Sequence, residues 1–180
     1  SLEHATNLGR LFRPDSDPLL PNWRHLPVGY HGRAGTVVVS GTPVVRPSGQ
    51  SKSPSDDAPR FGPSRRLDIE LELGFVVGAG SGLGEPVSAS AFRDHVFGVV
   101  LVNDWSARDI QTWEYQPLWP FLGKSFATSI AAWVTPLALL GERFVPAPPQ
   151  EPEPLPYLRV DGDWALDIEL EVELSGTIVS

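Results

Sequence analysis

VFGVVLVNDWSARDIQTWEYQPLWPFLGK, residues Val96–Lys124, changes character at Asn103. Val96 to Val102 carries no charge and reads as a strand buried on both faces. From Asn103 onward come Asp104, Arg108, Asp109, Gln111, Glu114, Tyr115 and Lys124, with Trp105, Trp113 and Trp119 set between them. Charges that arrive as a buried strand ends predict a site at the strand's rim. Solvated turns are richer in Lys, Ser and Gly, so the indoles argue for carboxylates in a partly dry pocket. An amphipathic surface helix starting near Ser106 fits the same pattern.

Working outward, Arg65 to Leu73 alternates strictly and Phe75-Val76-Val77 extends it. Period two predicts a strand with Leu67, Ile69, Leu71 and Leu73 on one face and Asp68, Glu70 and Glu72 on the other. Three like charges on one face are either solvated or held by a cation, and an oxygen-only row suits Mg²⁺ or Ca²⁺ rather than zinc. Leu166 to Val172 nearly copies this strand, so pattern alone offers two acidic strands and does not choose between them. Tyr157 to Val160, Asp161-Gly162-Asp163 and the run from Trp164 predict a hairpin on an Asp-Gly turn. Thr36 to Ser40 reads as a strand, Leu19 to Arg33 as a loop, and Ser48 to Ser64 as a mobile surface loop. Ser88 to His95 reads as a short helix, Ser125 to Leu140 as one or two strands around Trp133, and Pro146 to Pro156 as a stiff proline-rich crossing. Glycines 80, 82 and 84 lack the Lys-Ser/Thr ending of a phosphate loop and mark a turn.

The 180 residues suffice for one core or for a large part of a bigger domain. A formal charge of −8, with Lys52 and Lys124 the only lysines, argues against nucleic acid and anionic membranes. No apolar run approaches the roughly 20 residues that span a bilayer, and nothing resembles a signal peptide, so a cytoplasmic protein is expected. Cysteine is absent, which removes thiolate metal sites and thiol nucleophiles. Methionine is absent too, position 1 included, and the chain stops inside an apolar run, so a fragment of a longer protein is expected. Short strands, few helices and 19 Pro with 17 Gly predict a β-rich α+β domain.

In order along the chain, LPNWRHLPVGYHGRAGTVVVSGTP, LDIELELGFVVG, GVVLVNDWSARDIQTWEYQPLWPFLGKSFATSIAAWV and PLPYL resemble the fumarylacetoacetate hydrolase family. The flanking HLPVGYHGR and QTWEY text lies closest to the branch that splits fumarylacetoacetate, and Trp119 stands where glycine is expected. The resemblance implies a mixed β-sandwich or roll, incomplete at both ends. It makes residues 1–180 the central part of the catalytic domain, without the amino-terminal small β-domain and the carboxy-terminal part. It implies that Glu70, Glu72 and Asp104 ligate Ca²⁺ or Mg²⁺, with Lys124 and Thr128 at the metal-proximal edge. It implies that Arg13, Gln111 and Tyr115 contact substrate, that His4 is the general base, that Lys124 is catalytic, and that the full-length protein is a homodimer. Glu70 and Glu72 then become the functional pair, and Glu169 and Glu171 a solvated strand face.

The resemblance implies hydrolysis of a carbon–carbon bond in a β-diketone, yielding fumarate and acetoacetate in tyrosine and phenylalanine breakdown. An acylpyruvate hydrolase or decarboxylase of the same superfamily is the second enzymatic expectation. The third is an incomplete domain that at most binds a cation. By the resemblance, the family's first metal ligand, an aspartate, and a substrate-contacting tyrosine would precede Ser1. A substrate-binding threonine and a glutamate supporting the base would follow Ser180. Ser175-Gly176-Thr177 reads as a turn after a strand.

Overall fold

The computed structural model describes residues 2–27, 29, 32–117 and 119–179. Parts of the Leu19 to Arg33 loop and Leu118 of the central passage lie outside the described residues. The chain divides into two units, Ser1–His31 with Pro149–Arg159, and Gly32–Pro148 with Val160–Ser180.

The first unit opens with helix α1, Leu2–Phe12, whose only buried residue is Gly9. A Cβ there would sit 1.9 Å from the Pro18 carbonyl oxygen, so glycine permits the chain to fold back on the helix. Arg13 follows, its Nη2 donating to that same carbonyl at 2.5 Å. His4 lies on the exposed side of α1.

In the second unit, strands β1 (Val37–Val39), β2 (Ser48–Ser51), β3 (Arg60–Pro63), β4 (Leu67–Asp68) and β5 (Leu71–Val77) lead into short helix α2, Phe92–His95. The passage from Val96 becomes β6 (Val96–Asp104), β7 (Ser106–Ala107), α3 (Arg108–Glu114) and α4 (Leu122–Ser125). Strands β8 (Thr128–Ile130), β9 (Thr135–Pro136), β10 (Phe144–Pro146), β11 (Asp163–Leu166), β12 (Glu173–Leu174) and β13 (Thr177–Ile178) complete it. The main sheet runs β1-β8-β6-β5, with β9 also on β6. Strand β6 pairs antiparallel with β5 and β8, and β8 pairs parallel with β1. The architecture is a mixture of α and β, mostly strand, as expected.

Several elements differ from the sequence reading. Strand β6 is not covered on both faces. Gly98, Val99 and Val100 are buried, while Phe97 and Leu101 are about half exposed, because the packing against them is confined to the strand's middle. The alternating run from Arg65 is two strands: β4 pairs with β7 and β5 with β6, and the chain changes partner at Ile69 and Glu70. Residues 48–63 are a hairpin rather than a loose loop, since β2 and β3 pair in register from Ser48↔Pro63 to Ser51↔Arg60. Gly49 lets this hairpin lie on Ile110 and Leu122, where a Cβ would come within 3.0 Å of both side chains. The Asp161-Gly162 turn, with Gly162 at φ 93°, does not join neighbouring strands. Strand β11 pairs with β10, and Pro156–Leu158 forms a 3₁₀ turn. Residues 167–172 carry no strand, and Glu169 and Glu171 are exposed. Beyond β8 and β9, the segment around Trp133 closes with a 3₁₀ helix, Leu137–Arg143, rather than further strand.

Candidate metal and active site

The sheet register assembles the acidic site. Asp104 and Thr128 are paired residues of β6 and β8, and Glu72 is paired with Val102, two residues before Asp104. Glu70, just ahead of β5, accepts the Asp104 N–H on its carbonyl at 3.1 Å and donates its own N–H to Asn103 Oδ1 at 3.3 Å. Side chains two apart on a strand, and those directly paired across strands, share a face. Glu70, Glu72, Asp104 and Thr128 therefore stand on one side of the sheet. A carboxylate oxygen from each of Glu70, Glu72 and Asp104 lies within 4.8 Å of the others.

Helices α3 and α4 bring cations to that face. Lys124, in α4, is 4% exposed, and its Nζ donates to Glu70 Oε2 at 2.5 Å and Asp104 Oδ2 at 2.9 Å. Arg108, first in α3, donates from Nε to Asp68 Oδ2 and from Nη2 to Glu70 Oε1, both at 2.8 Å. Its Nη1 donates to Gln111 Oε1 at 3.1 Å. Arg108, Ile110 and Gln111 are the buried residues of α3. Tyr115 directly follows α3, its N–H on the Gln111 carbonyl at 3.0 Å.

Four carboxylates thus face two cations, and their proton affinities divide accordingly. Burial pushes the Glu72 carboxyl up, and nearby Asp104 and Glu70 add to the rise. Burial likewise lifts Asp104, against the pull of Lys124 and with Glu70 adding to it. For Glu70, burial is outweighed by hydrogen bonds and charge from Lys124 and Arg108, which hold it below its ordinary value. Asp68 is held low in the same way by Arg108. Negative charge is left in surplus at Glu72 and Asp104. An all-oxygen donor set with that surplus fits a hard divalent cation.

The structure therefore brings together Glu70, Glu72, Asp104, Thr128, Lys124 and Gln111, with Tyr115 at the end of the same helix. His4 and Arg13 belong to the other unit. Arg13 is half-buried there, and its Nε has no hydrogen-bond partner among the described residues. Four residues outside the ligand, base and substrate-contact assignments also shape the site: Asp68, Asn103, Arg108 and Glu114. Ser106 and Ala107, directly before Arg108, are buried, and an arginine entering so dry a place needs carboxylates close by.

The family model described as fumarylacetoacetate (FAA) hydrolase C-terminal matches residues 1–180. The chain belongs to the fumarylacetoacetate hydrolase family. It is 57% identical over 176 residues to the fumarylacetoacetase of Rattus norvegicus and 56% identical over 176 residues to that of Homo sapiens. It is 52% identical over 182 residues to that of Dictyostelium discoideum. These matches cover 98%, 98% and 100% of this chain but 42%, 42% and 43% of the relatives, so the chain spans about two fifths of their length. The family resemblance seen in LDIELELGFVVG and NDWSARDIQTWEY is borne out. Among the described residues no helix is long and apolar enough to cross a membrane.

Proposed function

We propose that the protein carrying this chain is a metal-dependent hydrolase that cleaves fumarylacetoacetate to fumarate and acetoacetate. The observation that carries the reading is the packing of Glu70, Glu72 and Asp104 on one sheet face around the buried ammonium of Lys124, in a chain of this family. Glu70, Glu72 and Asp104 would hold Ca²⁺ or Mg²⁺, with Thr128 in register beside Asp104. When bound, such an ion acts as a Lewis acid on a β-diketone and as a template for it.

The chain's own residues supply the rest. His4 takes a proton from water as general base, and the hydroxide adds to a substrate carbonyl carbon. The carbon–carbon bond breaks, its electron pair stays on the acetoacetate carbon, and that carbon is then protonated. Lys124, held dry by its two carboxylates, offers a fixed positive charge to the developing anion. Arg108 fixes the Glu70 carboxylate and the Gln111 amide, so Gln111 presents its NH₂ in a set direction toward substrate. Tyr115 and Arg13 bind substrate, Arg13 through a planar fork that matches a carboxylate. The roles of His4, Arg13 and Tyr115 rest on the family resemblance. So do a cytoplasmic homodimer and the assignment of residues 1–180 to the middle of a catalytic domain. The identity to fumarylacetoacetases favours this substrate over an acylpyruvate.

The test is calorimetric titration with Ca²⁺ and Mg²⁺ of the chain and of its Glu70→Gln/Glu72→Gln variant, with turnover of fumarylacetoacetate measured in the protein that carries the chain. Heat of binding that vanishes in the variant together with turnover is expected. Turnover retained in the double variant would overturn the assignment.

A further inference from the structure

We propose that Glu114 is the positioning residue for Lys124: it clamps the entry of α4 so that the ammonium stays on Glu70 and Asp104. This rests on the reading of Lys124 given above. Glu114 is the last residue of α3, and its carboxylate turns toward the start of α4. Oε1 accepts the N–H of Phe121 at 2.8 Å and of Gly123 at 2.6 Å, and Oε2 accepts the N–H of Leu122 at 3.2 Å. The first amides of a helix have no acceptor within it, and a carboxylate satisfies them with short, charge-assisted bonds.

The clamp lies one residue from Lys124. The Lys124 N–H is bound to the Phe121 carbonyl at 3.2 Å, so the residue that Glu114 grips in turn holds the Lys124 backbone. Gly123 lies directly against α3, where a Cβ would fall 2.8 Å from the Gln111 nitrogen. No side chain separates the two helices at that point, and Glu114 fastens them from the end of α3. A lysine side chain has four flexible carbons and brings no rigidity of its own. The placement of Nζ therefore depends on how firmly its backbone is held. The Glu114 carboxylate is taken up by the three amides at the entry of α4, so Glu114 acts through Lys124.

Kinetics and lysine ¹⁵N resonance spectra of Glu114→Ala, Glu114→Gln and Lys124→Met, in the protein that carries this chain, decide it. Glu114→Ala is expected to lower kcat by about tenfold or more with KM little changed, the scale on which a small displacement of a reacting group acts. Its Lys124 ε-ammonium signal is expected to move to the position of a solvated lysine. Glu114→Gln keeps an oxygen for Phe121 and Gly123 and is expected to recover most of kcat and the original signal. In a Lys124→Met background Glu114→Ala should cost nothing further. An unchanged ammonium signal in Glu114→Ala, or an equal loss of kcat in the Lys124→Met background, would overturn the proposal. If Lys124→Met itself keeps full turnover, the reading of Lys124 in hydrolysis fails, and the ammonium signal alone then decides whether Glu114 positions it. Should Glu114→Ala not fold, Glu114→Asp replaces it: the shortened carboxylate cannot span Phe121 and Gly123, so a displaced signal is expected and an unmoved one refutes the clamp.

Discussion

Arg108 and Lys124 each lie between two carboxylates, so charge alternates along Asp68, Arg108, Glu70, Lys124 and Asp104. Such a chain tolerates burial because every cation is paired, and removing one member strands its neighbours in a dry setting. A second carboxylate on α3 does different work. Asp109 turns away from the acidic cluster and accepts the Ser64 hydroxyl at 2.6 Å, the Arg65 N–H at 2.8 Å and the Ile110 N–H at 3.0 Å. It thereby ties the end of the β2–β3 hairpin to the first turn of α3, next to Arg108. Burial alone would raise its pKa, but these bonds outweigh burial and hold it below the ordinary 3.8. A carboxylate with a depressed folded-state pKa stabilises the fold above its unfolded value, and the contribution is lost as pH falls through the folded value. Asp109→Asn should therefore lower Tm at pH 7 and should flatten the fall of Tm with pH below about 4, where the native protein loses this contribution. Thermal unfolding followed by circular dichroism between neutral and acid pH measures it, and parallel acid limbs for the two proteins would refute it.

At the scale of elements, α3 and α4 decide where the cations go, and their contact depends on Gly123. A Cβ on Gly123 would meet the Gln111 nitrogen at 2.8 Å and its Cα at 2.9 Å, both backbone or backbone-fixed, so neither can swing aside. Gly123→Ala should cost about 1–3 kcal/mol of stability, the range for forcing a methyl into packed structure, and should weaken divalent-cation binding by moving Lys124. Gly141→Ala is the control, since a Cβ there meets nothing within 4 Å and Gly141 lies in a 3₁₀ helix where alanine is accepted. Equal denaturation midpoints for the two variants would remove Gly123 from the argument. The same elements show what was legible beforehand. The alternation from Arg65 to Leu73 revealed Glu70 and Glu72 on one face, because a period of two is written in the chain itself. The break at Ile69 and Glu70 was not visible, since it follows from a change of partner, β7 for β4 and β6 for β5, and partners distant in the chain leave no local mark. The Asp161-Gly162 turn was real, but the partner of β11 proved to be β10, across the proline-rich crossing. A turn signal specifies the bend and leaves the pairing open.

At the scale of the whole molecule, the choice between two acidic strands came from the family resemblance, and the sheet supplies its physical reason. Glu70 and Glu72 border β6, so Asp104 can join them, whereas Glu169 and Glu171 lie in residues 167–172, which form no strand. Strand β5 ends the main sheet among the described residues, and Phe75, Val77, Phe97 and Leu101 are exposed along β5 and β6, Val77 at 65%. An unpaired strand edge beside exposed apolar side chains favours association with another sheet. The net charge of −8 opposes it, because two copies of the chain repel. Salt removes the repulsion, with a screening length near 8 Å at about 0.15 M, and leaves the apolar attraction intact. The isolated chain should therefore associate more strongly as NaCl rises, and Val77→Lys should weaken that association at every salt concentration without changing the far-ultraviolet circular dichroism. Sedimentation velocity over a salt series reads both effects. Association that falls with salt would assign it to charge pairing, and association unaltered by Val77→Lys would move the contact away from β5.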